Sequence, residues 1–186
     1  MLGLAAQWLG VNQTQANSVA PILISEEQGR HKSTFCRMLM PPQLARYYSD
    51  NLKLTAQGNP ERLLAEMGLL NMDEFDKFGA QKMPLLKNLM QMSSLNICKA
   101  YQKNFRSLPR IASFIGTSNR TDLLCDPTGS RRFICIEAEH DIDCTGIEHS
   151  QIYAQLKEEL LAGARHWFNK EEEHALQRHN SAYYHV

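Results

Sequence analysis

The stretch from Val19 to Phe35 constrains this chain more than any other, because its order of residue types is that of a phosphate-binding loop. A short apolar strand, VAPILI, is followed by a turn and then by Lys-Ser-Thr at the start of a helix. In such a loop, backbone N–H groups and the helix N-terminus face an anion, the lysine reaches the outer phosphates, and a hydroxyl binds the metal. The residues expected to hold a nucleotide are Gln28, Gly29, Arg30, His31, Lys32, Ser33 and Thr34.

The match to the pattern G-x-x-x-x-G-K-[ST] is incomplete. Glu26 stands at its first glycine, His31 stands at the glycine before the lysine, and Gly29 alone supplies a glycine within the loop. Lys-Ser-Thr at the start of a helix is also an ordinary capping sequence. The interpretation of the loop therefore depends on the residues further along the chain.

Composition limits the classes of function. The 186 residues suffice for one sizeable core. Lysine plus arginine equals aspartate plus glutamate, at 20 each, so any contact with DNA must come from a local patch. The five cysteines are widely spaced and lack a C-x-x-C pair, which favours reduced cytoplasmic thiols over a disulfide framework or a zinc site. Residues 1–10 are apolar but too few to span a membrane, and they predict a short helix severed from something larger.

Strand-like and helix-like segments alternate along the chain. This alternation favours an α/β fold in which helices flank a parallel sheet. After the first strand and helix, we expect strands at Arg46–Leu54, Leu69–Met72, Ile111–Asn119 and Phe133–Glu137, and helices at Glu61–Met67, Lys82–Met92, Ser150–Phe168 and Glu171–Asn180.

Two carboxylates follow the strand that begins at Leu69. They are Asp73, which stands 41 residues after Lys32, and Glu74. A magnesium-nucleotide site needs one carboxylate that holds the metal through water and a second that polarises the attacking water. An acidic turn after a strand is the structural alternative, but the position of this pair after Lys32 and Ser33 favours the magnesium site.

The segment Ser94–Arg110 mixes basic and aromatic residues and contains no acidic ones. It predicts a β-hairpin or ribbon that carries Lys99, Lys103, Arg106 and Arg110. Such interleaving grips a sugar-phosphate backbone and stacks bases. A solvated basic surface is the alternative.

Polar residues also end the later strands. Asn119 follows a buried strand that we expect beside the strand of Asp73, where it can bind the attacking water or the γ-phosphate, unless it is a plain turn residue. Arg131 and Arg132 follow a Pro-Thr-Gly turn and precede the strand at Phe133. Arginines held by a rigid turn can act on phosphate in this subunit or a neighbour's, the alternative being a role in solubility.

Taken in order, these motifs resemble those of the virulence-associated protein E family. Its domains look like superfamily 3 helicases of the AAA+ type and are frequent in phages and mobile elements. The resemblance runs from about Pro21 to Phe168. The motifs that carry it are Gln28-Gly29-x-x-Lys32-Ser33-Thr34-Phe35, Asn71–Asp76, Gly116–Asn119 and Asp126–Phe133.

This resemblance implies a P-loop NTPase fold that binds ATP and Mg²⁺. Lys32 would contact phosphate, and Ser33 and Asp73 would hold the metal. Asp73 and Glu74 would form the Walker B pair, with Glu74 activating the attacking water. Asn119 would be the sensor 1 residue. Either Arg131 or Arg132 would be the arginine finger that reaches the γ-phosphate of the next protomer in a homo-oligomeric ring.

The same resemblance implies a hairpin that points into a central channel, so Lys99, Lys103 and Arg106 would contact DNA, expected to be single-stranded. A primase or another replication domain is often attached upstream in such proteins. We expect residues 1–18 to be a helical linker, residues 19–168 the ATPase core and residues 169–186 a helical tail.

The expected function is ATP hydrolysis, with helicase-like action on DNA, in a replication protein of a phage or mobile element. The alternative is a nucleic-acid-binding or assembly module that binds nucleotide with little turnover. Glu26 and His31 favour this alternative, because a carboxylate beside phosphates weakens nucleotide binding unless it turns outward. A small-molecule kinase fits the loop but leaves Asp126–Phe133 and the basic segment unexplained.

Overall fold

The computed structural model describes residues 1–11, 16–98, 105–126 and 131–184. The strands in these ranges are β1 (Ala20–Ile24), β2 (Tyr48–Ser49), β3 (Leu69–Met72), β4 (Ser94–Cys98), β5 (Phe105–Pro109), β6 (Ser113–Ser118) and β7 (Phe133–Glu137). Five of them form a parallel sheet in the order β2-β3-β6-β1-β7. The prediction of an α/β fold with a parallel sheet is therefore confirmed.

The central strands are apolar along their length because both faces of the sheet are covered by helices. Every residue of β3 and β6 is buried. Gly116 in β6 allows close contact with β1, since a β-carbon at this position would lie 2.7 Å from Cδ1 of Ile22. The sheet is thus held together by tight packing at its centre.

The register brings the functional segments to one edge of the sheet. Ile24 of β1 pairs with Ser118 of β6, and Met72 of β3 pairs with Gly116. Because the strands are parallel, the loop after β1, the carboxylates after β3 and Asn119 after β6 all emerge at this carboxyl edge.

The helices lie on the two faces of the sheet. One core contains Leu64, Leu86 and Leu89, and the other contains Leu4 and Cys36. No helix in the described ranges is long and apolar enough to cross a membrane. The α-helices are α1 (Leu2–Leu9), α2 (Lys32–Met38), α3 (Pro60–Glu66), α4 (Met83–Gln91), α5 (His149–Leu161) and α6 (Lys170–Asn180).

The N-terminal segment and the C-terminal tail both pack on the rest of the fold. Helix α1 contacts α5, where Ala5 and Ala6 are buried with Leu156 and Leu160. Helix α6 packs against β7. The division of the chain at residues 18 and 168 stays a prediction.

Two elements are shorter than the sequence predicts. The second strand covers Tyr48–Ser49 only, because Pro42–Tyr47 forms a 3-10 helix before it. Helix α5 ends at Leu161 instead of extending to Phe168, because Gly163 follows it in a left-handed conformation with φ +84°. A glycine in this conformation commonly ends a helix.

The predicted hairpin is present. Strands β4 and β5 pair antiparallel from Ser94 opposite Pro109 to Cys98 opposite Phe105. Lys99 and Lys103 lie outside the described residues. Arg110, grouped with the basic residues by sequence, is only 1% exposed, so its assignment to a basic surface patch is wrong.

Candidate functional site

The loop between β1 and α2 and the first turn of that helix present most of their residues to solvent. Gln28, Gly29, His31, Ser33 and Thr34 are exposed, and Arg30 is half-buried. Two of the five adopt left-handed or positive-φ backbone, namely Gly29 at φ +86° and His31 at φ +61°. The loop thus turns sharply just before the first residue of α2.

Lys32, the first residue of α2, is buried, with 8% of its surface exposed. Its Nζ donates to Oγ of Ser25 at 2.6 Å, to the Ser25 carbonyl at 3.3 Å and to Oδ1 of Asn119 at 2.8 Å. Burial lowers the pKa of this ammonium, and the charge of Asp73 partly opposes that effect. No carboxylate of the described residues lies within 4 Å of it.

A buried cation whose hydrogen-bond partners are all neutral oxygens is compensated only in part by the more distant charges of Asp73 and Asp76. An anion at the mouth of the loop would complete this compensation. Lys32 and Asn119, distant by 87 positions in sequence, were both predicted for the site, and the structure brings them together.

Ser33 and Asp73 also meet at this edge. Oγ of Ser33 donates to Oδ1 of Asp73 at 2.8 Å, and both residues are exposed. Thr117 adds a second hydroxyl, which donates to the same Oδ1 at 2.6 Å. The arrangement is a small group of oxygen ligands open to solvent.

These oxygens fit Mg²⁺, which is bound in nucleotide sites by one or two carboxylates together with substrate phosphates and water. The part of the chain that the structure describes contains no group of three or more His, Cys, Asp or Glu that could hold a metal by itself. A magnesium ion at Ser33 and Asp73 would need further ligands from outside these residues.

The Glu74 side chain makes no contact with these oxygens among the described residues. Its backbone is left-handed, at φ +52° and ψ +54°, and its N–H donates to Oγ1 of Thr117 at 3.2 Å. Its carboxylate forms an ion pair with Lys77 at 2.6 Å. The side chain is about half exposed, so water can reach it.

The structure accommodates one of the two departures from the loop pattern without backbone strain. Glu26 is exposed and does not have positive φ, so its position does not require glycine. Arg30 binds Glu27 at 2.6 Å and approaches Asp141 at 3.8 Å, which braces the loop against the segment after β7. His31, in contrast, occupies the conformation in which glycine is favoured.

Replacing His31 with glycine is expected to raise the free energy of unfolding by about 0.5–1 kcal/mol, because a left-handed backbone is unfavourable for residues with a β-carbon. Gly29→Ala is the matched control with the opposite sign, since its φ is +86° and an added β-carbon would meet no atom within 4 Å. Urea unfolding measures both. A loss of stability in His31→Gly would contradict this account of the loop.

Arg131 and Arg132 lie at the opposite edge of the sheet, where its strands begin. They precede β7, whose first residue, Phe133, pairs with Ala20 at the start of β1. The length of β1 therefore separates them from the loop by about 13 Å along the strand direction. Arg131 pairs with Glu173 at 3.2 Å, and burial together with the charge of Arg131 lowers the pKa of Arg132. The structure does not bring either arginine to the loop of its own chain.

Arg106 is exposed on β5. The hairpin is connected to the start of β6, and Arg110 N–H donates to the Ser93 carbonyl at its base. The hairpin therefore leaves the sheet at the amino edge, on the side where Arg131 and Arg132 lie.

Sequence reasoning missed four residues of the site: Ser25, Asp76, Thr117 and Ser118. Ser25 and Thr117 bind residues that had been predicted, and Oγ of Ser118 donates to Asp76 at 2.9 Å. The signal that could have found the last two was the small polar run Gly-Thr-Ser-Asn at the end of a buried strand, from which only the asparagine was selected.

Fold and site together define a mixed α/β protein with a polar, solvent-open group of side chains at the carboxyl edge of its parallel sheet. The chain matches the model of the virulence-associated protein E-like domain over residues 10–185. It belongs to this family.

Solved structures of similar fold include apo forms of the C-terminal region of NrS-1, residues 305–718. One has a TM-score of 0.51 at 19% identity and covers 98% of this chain and 40% of that one. An A form has a TM-score of 0.50 at 20% identity and covers 97% and 39%. This chain thus spans about two fifths of those structures, and the likeness concerns the fold. A search of curated proteins finds no match by sequence.

Proposed function

We propose that this chain is a P-loop ATPase module, of the AAA+ and superfamily 3 helicase type, in a replication protein of a phage or mobile element. The observation that carries the proposal is the buried ammonium of Lys32, which has three neutral oxygen partners and faces an exposed loop. The γ- and β-phosphates of ATP are the anions that would compensate its charge.

In this proposal Ser33 and Asp73 would hold Mg²⁺, which would neutralise charge at the phosphates when bound. Lys32 exchanges its contacts with Ser25 and Asn119 for phosphate oxygens. Asn119, released from Lys32, is then free to bind the attacking water or the γ-phosphate. The loop thus converts from a closed polar network into a phosphate site without movement of the sheet.

Hydrolysis requires a base for the attacking water. Glu74 takes the proton of that water as its oxygen bonds to the γ-phosphorus, while the bond from that phosphorus to the bridging oxygen breaks and ADP leaves. For this step the Glu74 carboxylate has to leave Lys77 and turn to the site. The exposure of the pair allows such a rotation, because exposed ion pairs contribute little to stability.

The position of the arginines at the opposite edge of the sheet supports action on a neighbouring protomer. In a head-to-tail ring, the amino edge of one copy meets the carboxyl edge of the next, so Arg131 or Arg132 would reach the neighbour's γ-phosphate. Lys99, Lys103 and Arg106 of the hairpin would bind single-stranded DNA in the ring's channel. A cytoplasmic location and an attached replication domain, such as a primase, belong to the same proposal.

A second candidate is a module that binds nucleotide and nucleic acid with little turnover. The ion pair between Glu74 and Lys77 favours it, because it holds the proposed base away from Asp73 and Ser33. The two candidates share the phosphate site and differ in the freedom of Glu74.

Glu74→Gln is expected to abolish ATP hydrolysis and leave ATP binding intact, because the amide keeps the shape of the side chain and cannot accept the proton. Lys77→Met is expected to raise turnover about 2–5-fold, since the exposed ion pair no longer competes for the base. Phosphate release and equilibrium binding of ATP measure the two effects separately.

The control is Glu61→Gln, an exposed glutamate in the first turn of α3, which should leave both quantities unchanged. Hydrolysis in Glu74→Gln equal to that of the unmodified chain would remove Glu74 from the mechanism. Unchanged binding with no turnover in any of the proteins would favour the second candidate.

A further inference from the structure

Thr117 connects three parts of the candidate site through one hydroxyl. Its Oγ1 donates to Oδ1 of Asp73 at 2.6 Å and accepts the N–H of Glu74 at 3.2 Å. It is 3% exposed, so water does not compete for these bonds. A hydroxyl has one proton and two lone pairs, and this proton is committed to Asp73.

We infer that Thr117 is a positioning residue that fixes the Asp73 carboxylate for Mg²⁺ and sets the backbone turn from which Glu74 projects. The inference rests on the proposed function and adds to it a residue that acts through Asp73 without touching the nucleotide.

The geometry of Asp73 explains why such a residue is needed. Oδ1 accepts two hydroxyl protons, one from Ser33 and one from Thr117, and no donor among the described residues binds Oδ2. The carboxylate is exposed and follows the last residue of β3, so its side chain would otherwise rotate freely. With Oδ1 held, Oδ2 remains available to the ion or to its water.

Two hydroxyls donate to Oδ1 of Asp73, and only that of Thr117 would keep its position when nucleotide and metal bind. Ser33 is exposed in the first turn of α2, directly after the loop, and would itself bind the metal. Thr117 lies in the fully buried strand β6, between β1 and β3, and its position is set by the sheet. The carboxylate therefore keeps one fixed partner when the loop rearranges around phosphate.

The turn at Glu74 depends on the same hydroxyl. Left-handed backbone at a glutamate is unfavourable and needs support from its surroundings. The Glu74 N–H donates to Thr117, whose hydroxyl is anchored on Asp73, so the two carboxylates are placed relative to one another by a single side chain.

The next two residues of the chain each bind a different charged side chain. Ser118 donates to Asp76, and Asn119 accepts from Lys32. Thr117 differs from both because it binds the residue proposed to hold the metal. Loss of its hydroxyl should therefore affect the metal before it affects the phosphate contact of Lys32.

Thr117→Val removes the hydroxyl and keeps the branched shape, and Thr117→Ser keeps the hydroxyl. We expect the valine variant to lose about 10–100-fold in Mg²⁺ affinity, which is the usual effect of removing a hydrogen-bond partner of a metal ligand. We expect the serine variant to remain within about threefold of the unmodified chain by the same reasoning.

The measurement is binding of a fluorescent ATP analogue to the full chain, titrated with Mg²⁺ from an EDTA-containing buffer. The valine variant should bind the analogue without Mg²⁺ as the unmodified chain does, and should need higher Mg²⁺ to gain affinity. Circular dichroism reports folding, and Thr117→Ala replaces valine as the test variant if valine does not fold.

Three results would overturn the inference. One is a Mg²⁺ dependence in Thr117→Val equal to that of the unmodified chain. Another is a loss in Thr117→Ser as large as in Thr117→Val, which would show that the hydroxyl is not the cause. In both of these the unmodified chain still shows Mg²⁺-dependent binding, so the proposed function stands. The third, no Mg²⁺-dependent binding by the unmodified chain, overturns the proposed function as well.

Discussion

Lys32→Ala should lower the affinity of the chain for ATP by at least about 100-fold, equivalent to about 2.7 kcal/mol. The alanine removes a buried cation whose partners are two side chains and a carbonyl, all neutral. Hydrogen bonds to charged groups each contribute about 1.5–3 kcal/mol, and an ammonium on a bound polyphosphate makes more than one. Equilibrium binding of an ATP analogue measures the loss.

Two variants make this result interpretable. Lys157→Ala removes an exposed lysine of α5 and should leave affinity unchanged. Lys32→Arg retains the charge but not the compact ammonium that fits between Ser25 and Asn119, so it should bind more weakly than the unmodified chain. Equal affinity in Lys32→Ala and the unmodified chain would place any nucleotide site elsewhere.

Arg110→Met should lower the free energy of unfolding by about 1–3 kcal/mol, the cost of leaving buried acceptors without their donor. The guanidinium donates to the carbonyls of Met90 and Met92 at the end of α4 and of Asn17 and Ala112, at 2.5, 3.2, 2.5 and 2.7 Å. It thereby ties α4, β6 and the segment before β1 together at the base of the hairpin.

No carboxylate of the described residues pairs with Arg110. Its charge is stabilised by the carbonyl end of α4, where the helix dipole is negative, and by the ring of Phe114, whose centroid lies 5.3 Å from Cζ. Burial lowers its pKa to about 10, so it is charged at neutral pH. Methionine fills much of the same volume but supplies no donor to these carbonyls.

Urea unfolding measures the effect, and Arg106→Met on the exposed side of β5 is the matched control, expected to change stability by less than about 0.5 kcal/mol. A loss below about 1 kcal/mol in Arg110→Met would mean that water or neighbouring groups satisfy these carbonyls. Because the hairpin is anchored at Arg110, a strong loss would also be expected to weaken any binding of single-stranded DNA.

The sheet was predictable because β1, β3 and β6 are short apolar runs buried on both faces, and their order along the chain implies a parallel arrangement. The placement of Lys32, Asp73 and Asn119 at one edge of the sheet followed from that arrangement, since residues after parallel strands share one edge. The short second strand and the end of α5 at Leu161 were not predictable from apolar spacing, because a 3-10 helix and the left-handed Gly163 interrupt those patterns.

The hydrogen-bond partners and backbone conformations in the site cannot be read from the spacing of residue types along the sequence. Sequence alone could not show which hydroxyl of the run Thr117-Ser118 binds Asp73, because both residues of a buried strand precede the same turn. It could not show that Glu74 adopts a left-handed backbone and pairs with Lys77. Arg110 was grouped with neighbouring basic residues because charge pattern gives no information on burial when the partners are backbone carbonyls.

Phosphate release from ATP by the unmodified chain, at physiological Mg²⁺ and with and without single-stranded DNA, tests the central proposal most directly when it is run beside Lys32→Ala. We predict turnover that rises when DNA is added and disappears in the variant. Phosphate release that is equal in the two proteins, with both folded, would contradict the assignment of Lys32 and its loop to ATP hydrolysis.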